Sequence, residues 1–524
     1  EFKRWLTYLK QSYLDIFPID KDKSNHVRQV RNAMFSIVNP THFVSQVQLA
    51  VVSDAALSHC LDLSPKVFTS TLFLDFTSGN YRSGLFPPSL AHRYGGHQFG
   101  FWAGQLGDGR ALLLGVFTNN RGDYWELQLK GSGLTPYSRS GDGRAVLRSS
   151  IREFLASEAM HFLGVRTSRA VSLVVSNDYV MRDQFYDGHP VPERAAIVLR
   201  VAPSWFRIGS LEILAQSSER DLLQLLLDHI ISTHYKTIDL NDPDKYLHLF
   251  QSVVESTAEL IAQWQSVGFT HGVGNTDNFS LLSITIDYGP FGFLDHYNPK
   301  YVPNTSDEEG RYNYENQPQI GYYNLEKLLF SIESLFEKSQ YKTAQIILNG
   351  YFEVYKDKFV KLFAKKLGLS SIHQAEDGNF VEMFLKILKE SGADFTMTFR
   401  QLGETHFDKL VTEKFHDNGW ALNKIIQHSL YQDFLKLYKS RLDSEGTTDG
   451  QRQKMMNAHN PRYILRNWMA QNAIASAEKD DFTQVQKIYE ILKSPFMYQQ
   501  EAEDLGYARE PPSWAAHIKV SCSS

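Results

Sequence analysis

The sequence predicts an α+β fold in two lobes with a helical C-terminal extension, and three observations predict it. Residues 124–130, Tyr-Trp-Glu-Leu-Gln-Leu-Lys, alternate apolar and polar side chains with the period of a half-buried strand, and residues 195–201 form a second β-rich run. Residues 221–235 and 246–267 repeat their apolar positions at helical spacing instead, and that pattern dominates from Tyr323 onward. Between the two regimes lies the polar stretch HGVGNTDNFSLLSITIDYG, His271 to Gly289, whose residue types suit chemistry better than packing. The expected organisation is a packing segment over 1–90, a first lobe over 91–203, a second over 204–335 with the catalytic and metal loops, and a helical region over 336–524.

Composition narrows the function. At 524 residues the chain can bury a large core, and 54 Lys and Arg against 59 Asp and Glu leave a net charge of -5, giving no reason to expect a nucleic-acid or anionic-membrane partner. No run approaches the roughly 18 apolar residues of a membrane span; Gln224, Asp228 and His229 interrupt residues 222–231. Cys60 and Cys522 alone cannot build a disulfide framework or a four-cysteine zinc site, which fits a reducing compartment. The sequence opens on Glu1 rather than Met, so the native start and any targeting peptide are not visible in it.

Taken in order, residues 1–90 carry helical and mixed patterns, among them 2–6 and 51–61, and read as packing elements. Residues 92–115, HRYGGHQFGFWAGQLGDGRALLLG, are dense in glycine and aromatics. Gly107 and Gly109 straddle Asp108, and Arg110 leads into an apolar run, a pattern for a hairpin whose backbone can approach a phosphate. His92 and His97 lack a third ligand nearby and read as structural. Lys130 ends the strand 124–130. A second glycine-rich loop, 131–144, follows, with Asp142 and Gly143 placed just before a helix over 144–162, a natural anion site. That helix carries Glu153, a suitable partner for Lys130. Arg200 and Arg207 follow in LRVAPSWFR. With Arg110 and Lys130 they supply more cations than an adenine ring needs, so a triphosphate is expected to penetrate this lobe, bound by arginine forks. Residues 290–321 read as a long ordered loop, and Asn460-Pro461 as the start of a helix over 460–478.

Within 271–289, Asp277 and Asn278 are adjacent, and Asp287 follows a Ser-Ile-Thr-Ile run expected to form one strand of a short hairpin. Carboxylate and amide oxygens gathered this way are hard ligands of the kind that hold Mg²⁺ over nucleotide phosphates. Aligning His271 with the His of a protein-kinase catalytic loop puts Val273 where the catalytic Asp belongs, Asn278 on the metal Asn, and Asp287-Tyr288-Gly289 on the Asp-Phe-Gly motif. The metal ligands are kept and the usual base is absent, while Asp277 offers a carboxylate one residue before the metal Asn.

The runs YGGHQFGFWAGQLGDGRA, WELQLKGSGLTPYSRSGDGRAVLRSSIREFL, LRVAPS, HGVGNTDN, TIDYGPFGFLD and NPRYILRNW resemble the selenoprotein O family of pseudokinases, whose members transfer AMP to protein hydroxyls. The resemblance implies a protein-kinase-like fold and a nucleotidyltransferase acting on Ser, Thr or Tyr hydroxyls, self-AMPylation included, with ATP as substrate and Mg²⁺ or Mn²⁺ as cofactor. It implies Asp277 as general base, Asn278 and Asp287 as metal ligands, and Gly107, Gly109, Arg110, Lys130, Asp142, Gly143, Arg200 and Arg207 around ATP, with Glu153 pairing Lys130. It also implies an inverted ATP whose pyrophosphate leaves. The closing Cys522-Ser523-Ser524 matches the family's C-terminal redox position, but Pro303 stands where members with an internal disulfide carry the second cysteine. Gly274 replaces a bulkier loop residue. Location by resemblance is mitochondrial in eukaryotes, the favoured expectation, and cytoplasmic in bacteria. Three alternatives stay open on the residues: conventional phosphoryl transfer, a nucleotide-binding scaffold without chemistry, and a thiol redox protein acting through Cys522.

Overall fold

Alternation along the strands sorts the chain into a core and a site. The computed structural model describes residues 1–524 apart from Arg82, Ser83, Leu85 and Ser524. Its main sheet is antiparallel throughout and is built from β1 (Phe35–Ile37), β2 (Val47–Val52), β3 (Leu90–His92), β6 (Ala111–Thr118), β7 (Tyr124–Lys130), β9 (Arg169–Arg182) and β10 (Val191–Ala202), in the order β1-β3-β6-β7-β10-β9-β2, with β8 (Ala145–Val146) pairing β10. A separate hairpin joins β4 (Gly95–Gln98) to β5 (Phe101–Gln105), and β11 (Phe269–Thr270) pairs β12 (Gly292–Phe293).

On β10, Ala195, Ile197, Leu199 and Val201 face a cluster with Phe2, Trp5, Leu57 and Phe73, so these early segments cover one side of the sheet, while Tyr13, Phe17 and Phe35 pack on the other. Ala196, Val198 and Ala202 face the other cluster, which holds the helix Leu147–Phe162. Arg200 shares the parity of that second face. On β7, Leu127 and Leu129 join the first cluster, whereas Glu126, Gln128 and Lys130 share the opposite face. Glu126 and Gln128 are both 1% exposed, so this polar edge faces the interior and not solvent.

The helix Leu147–Phe162 is buried at every residue from Ser150 to Met160, because the sheet lies on one side and the helices Asn467–Ala477 and Thr483–Leu492 on the other. Its buried charges are matched: Glu158 accepts from Arg169 at 2.7 and 2.8 Å, and Arg152 donates to the Phe291 carbonyl at 2.5 Å. The helices Arg220–His234 and Lys245–Ser266 occupy the stretches whose periodicity predicts them. The C-terminal helices enclose a second aromatic-rich core around Phe363, Phe384, Phe399 and Phe434.

Several boundaries differ from the sequence expectation. The helix expected from 144 begins at Leu147, since Ala145–Val146 first pairs β10, so Asp142 and Gly143 do not abut a helix N-terminus. Residues 283–286 form no strand: Thr285 makes single bridges to Phe279 and Thr167, and all four side chains are buried, so the alternation does not mark an exposed face. The loop expected to reach 321 already turns helical at Gln317, and in the helical region beyond it Gly350 separates Lys338–Asn349 from Tyr351–Lys366. Within 51–61, Val47–Val52 is strand and only Asp54–Leu61 is helix. Asn460 closes the helix Asp449–His459 instead of opening the next, which runs Asn467–Ala477. Proline holds its predecessor extended, here at φ -119° and ψ 111°, and Asn460 Nδ2 donates to the Lys366 and Met456 carbonyls.

Candidate active site

The polar parity of β7 and β10 meets the helix Leu147–Phe162 at one carboxylate, Asp287. Register places Arg200 opposite Gln128 and Val198 opposite Lys130, so the charges converge from paired strands. Arg200 Nη1 donates to Asp287 Oδ1 at 2.5 Å and to Glu153 Oε1 at 2.6 Å, while its Nε and Nη2 donate to Gln128 Oε1. Lys130 Nζ lies 2.7 Å from Glu153 Oε2 and 3.6 Å from Asp287 Oδ1. Arg207 Nη1 donates to Asp287 Oδ2 at 2.7 Å and to the main-chain carbonyl of Asp277 at 2.9 Å. Trp205 and Tyr94 rings lie under Arg200 and Arg207 at 4.3 and 4.4 Å. Arg110 feels the charge of Glu153 and Asp287 as well. Asp287 itself sits at φ 57°, a left-handed conformation that Asp tolerates better than most residues.

Burial would raise the Asp287 carboxyl, but Arg200, Arg207 and Lys130 overcome it and hold the group well below the usual range. The same contest lowers Glu153, where Lys130 and Arg200 outweigh desolvation. Lys130 is lowered, because its own desolvation and neighbouring arginines exceed the help of Glu153.

Asp277 differs. It lies in the turn Thr276–Asn278 and is 8% exposed. Gln98 Nε2 donates to its Oδ2 at 3.2 Å, and its Oδ1 is buried with no hydrogen-bond partner. Burial lifts this carboxyl to about 7, against the pull of Arg207 and the Gln98 bond. A carboxylate poised there is suited to accept a proton near neutral pH.

The β4–β5 hairpin covers the turn. His97 N donates to Thr276 Oγ1 at 2.7 Å, and Phe99 N donates to Asn275 Oδ1 at 3.2 Å and to the Tyr312 hydroxyl at 2.9 Å. Glu212, on the helix Ile208–Gln216, receives both His97 Nδ1, at 2.5 Å, and the Thr276 hydroxyl. The approach is so close that a Cβ on Gly96 would stand 2.8 Å from Asp277 Oδ1, and one on Gly209 only 2.1 Å from the Gly95 carbonyl.

The remaining residues singled out in the sequence lie as follows. Asn278 is half-buried and its Nδ2 donates to the Val273 carbonyl at 2.9 Å, leaving its amide oxygen unengaged among the described residues. A Cβ on Gly107 would fall 2.5 Å from the Tyr137 ring, one on Gly109 2.7 Å from the Tyr137 carbonyl, and one on Gly143 2.1 Å from Gly133. These glycines let the two loops pack on one another. Asp142 takes a bidentate pair from Arg182 at 2.7 and 2.8 Å on the surface. Cys522 is half-buried with Sγ 3.5 Å from Asn304 Oδ1, and burial raises its thiol; both cysteines are free. Among the described residues no three His, Cys, Asp or Glu side chains gather into a metal-binding group.

Sequence reading missed Gln98, Gln128, Glu212 and two buried acids. Asp108, lifted by burial to about 6, accepts from the His92 main chain at 3.1 Å, and Glu126, lifted to about 8, accepts from the Trp205 main chain at 2.9 Å. The available signal was the parity of Glu126, Gln128 and Lys130 on one strand.

A half-buried carboxylate ringed by cations is joined through Arg207 to the main chain of the turn that carries a second carboxylate, Asp277, an arrangement whose charge suits a polyanion. The sequence profile described as protein adenylyltransferase SelO matches residues 19–493, and the chain belongs to that family of nucleotidyltransferase enzymes. It is 43% identical over 517 residues to the protein nucleotidyltransferase YdiU of Azoarcus sp. (strain BH72), covering 97% of each chain. It is 40% identical to that of Rhodopirellula baltica, again over 97% of each, and 42% identical to that of Pseudomonas fluorescens over 91% of this chain and 93% of the relative. These relatives are bacterial and lend no support to the favoured mitochondrial location. No helix among the described residues is long and apolar enough to cross a membrane.

Proposed function

We propose that the chain transfers AMP from ATP to Ser, Thr or Tyr hydroxyls of proteins, itself included, with ATP bound in the reverse sense to that in a protein kinase. The sheet and the helices beyond it would then be the two lobes of a kinase-like fold, 91–203 and 204–335, with 1–90 packed on the first and 336–524 as a C-terminal region. Bacterial relatives favour a cytoplasmic setting. The observation that carries the reading is the junction at Arg207, where one guanidinium nitrogen joins the turn of Asp277 to the carboxylate of Asp287.

In this mechanism Arg110, Lys130, Arg200 and Arg207 hold phosphate oxygens, and Glu153 orients Lys130. Gly107, Gly109, Asp142 and Gly143 line the nucleotide. Interior cations, Arg200 on β10 at 3% exposed and Arg207 at the start of the helix Ile208–Gln216 at 1%, support placing the phosphates there instead of the base. The acceptor oxygen forms its bond to the α-phosphorus as the bridging bond to the β-phosphate breaks, and pyrophosphate leaves with that electron pair. Asp277 takes the hydroxyl proton, its unpartnered Oδ1 being the available acceptor. The oxygen donors also suit Mg²⁺ or Mn²⁺: the free amide oxygen of Asn278 and the carboxylate of Asp287 would hold the ion. Bound there, a divalent ion would offset phosphate charge and orient the triphosphate.

Intact-mass measurement after incubation with ATP and Mg²⁺, beside Asp277→Ala and Asp287→Ala, tests the proposal. An AMP-sized adduct abolished by both substitutions is expected. A phosphate-sized adduct would restore conventional phosphoryl transfer, and ATP binding with no adduct on any protein would leave a scaffold.

A further inference from the structure

The outer side of the β4–β5 hairpin carries charge that the proposed chemistry does not use. Arg311 is in none of the ion pairs among the described residues; its side chain acts on the Tyr312 phenol, and its Nε is buried without a hydrogen-bond partner. Its guanidinium lies 4.8 Å over the Tyr323 ring and 5.7 Å over that of Tyr312, and a Cβ on Gly100, at the hairpin tip, would meet it at 3.4 Å. Lys327, likewise without an ion pair, sits 5.0 Å over the same Tyr323 ring and 5.4 Å over Phe330. Of the acids close in the chain, Asp307 accepts from the main-chain N–H groups of Arg311 and Tyr312 at 2.9 and 2.8 Å, and Glu308 and Glu309 are exposed and make no ion pair with either cation among the described residues. Glu326 and Glu212 both act on the Tyr323 phenol, yet neither pairs with either cation. Two cations stacked on the Tyr323 ring, neither held in an ion pair among the described residues, are therefore available to an external anion.

The patch has a direct connection to the proposed base. The Tyr312 hydroxyl donates to Asn275 Oδ1 at 2.5 Å, two residues before Asp277, and Tyr323 donates to the Gly100 carbonyl at 3.1 Å. The inner side of the hairpin covers Asp277, while its tip exposes Phe101 at 79% and Phe99 at 37%. A protein segment that brings a hydroxyl to Asp277 would lie beside this hairpin, which packs directly on that residue. Arg311 and Lys327 are not among the cations proposed for the phosphates, of which Lys130 and Arg200 lie on β7 and β10, so the acceptor segment has charged groups of its own.

We propose that Arg311 and Lys327 select the protein substrate by binding a carboxylate that flanks the acceptor hydroxyl, with Phe99 and Phe101 supplying apolar contact to the same segment. The inference rests on the reading that the hydroxyl reacts at Asp277. The acceptor class is thus an acidic stretch around Ser, Thr or Tyr.

The test compares AMP transfer by the full chain to two synthetic peptides with one serine each, Gly-Glu-Glu-Ser-Glu-Phe-Gly and the same peptide with Gln for every Glu. The acidic peptide is expected to be preferred about tenfold in kcat/KM, the scale of one charge-assisted hydrogen bond, and the preference should shrink with added salt. Lys327→Glu and Arg311→Gln should each reduce that preference while leaving transfer to the Gln peptide within twofold. Equal transfer to the two peptides, transfer to neither, or a preference that survives both substitutions would overturn the proposal. The peptide comparison on the unaltered chain and the surface substitution at Lys327 keep it testable should Arg311→Gln fold poorly. Asp277→Asn, run in parallel, reports on the base alone: if it still transfers AMP, the assignment of the base fails, whereas loss of peptide preference bears only on the patch.

Discussion

Replacing Gly96 by alanine adds one methyl group against the proposed base and nothing else. Gly96 does not occupy a left-handed conformation, so the substitution strains no backbone torsion. The added carbon would sit 2.8 Å from Asp277 Oδ1, 3.0 Å from its Cβ and 3.2 Å from its Cγ. Ordinary contact begins near 3.4 Å, so something must yield by about half an ångström. If the hairpin lifts, the 3.2 Å bond from Gln98 lengthens; if the carboxylate turns, Oδ1 leaves its orientation. Misplacement of reacting groups by about 1 Å can cost on the order of 100-fold, so a fall in kcat of roughly 10- to 100-fold is expected, with KM for ATP changed little. Steady-state AMP transfer, with ATP binding and thermal unfolding measured on the same preparation, separates this from misfolding. A Gly96→Ala protein that folds and keeps kcat within twofold of the parent would refute the claim that the hairpin positions Asp277.

Asp287→Ala should abolish transfer and also destabilise the fold by about 3–5 kcal/mol in urea unfolding, because it strands Arg200 and Arg207 in the interior; an unchanged unfolding midpoint would contradict the buried cluster. Since burial lifts Asp277 to about 7 and a base works only when ionised, kcat should rise through about pH 7 and level off above it, and a flat profile between pH 5 and 9 would count against Asp277. Lys366 is buried beside Phe395 and Phe399, and desolvation pushes its amine from 10.5 down to about 7. Its folded-state value lies below its unfolded one, so the penalty is full below pH 7 and fades as pH rises toward 10.5. Lys366→Met should therefore stabilise the protein by about 4 kcal/mol at pH 7 and by far less at pH 10, read by urea unfolding at both values.

Periodicity made the long elements legible. The strand Tyr124–Lys130 and the helices Arg220–His234 and Lys245–Ser266 stand where their apolar spacing puts them, because each buries one side against a continuous core. Punctuation was less reliable: Asn460-Pro461 ends a helix as readily as it begins one, and the bonds from Asn460 to Lys366 and Met456, long-range in one case, decided the outcome. Lys130, Glu153, Arg200, Arg207 and Asp287 each carried a local motif that singled them out, and the structure brings all five together. Gln98 and Glu212 carried none. Their significance comes from contacts with the turn of Asp277, far away in the chain, and from glycines whose missing side chains matter only once the hairpin has docked.

The pairing of β7 with β10 carries one more implication. Lys130 stands opposite Val198, and Gln128 opposite Arg200, with Leu127, Leu129, Ile197 and Leu199 on the reverse face. A slip of one residue in either strand would turn every side chain over, driving lysine and arginine into that apolar layer and exposing leucine to Glu153 and Asp287. These charges thus act as proofreaders of the sheet: a misaligned chain forfeits its core and its charge cluster in the same error, and a chain that has found its register has already brought Lys130 and Arg200 to Glu153 and Asp287.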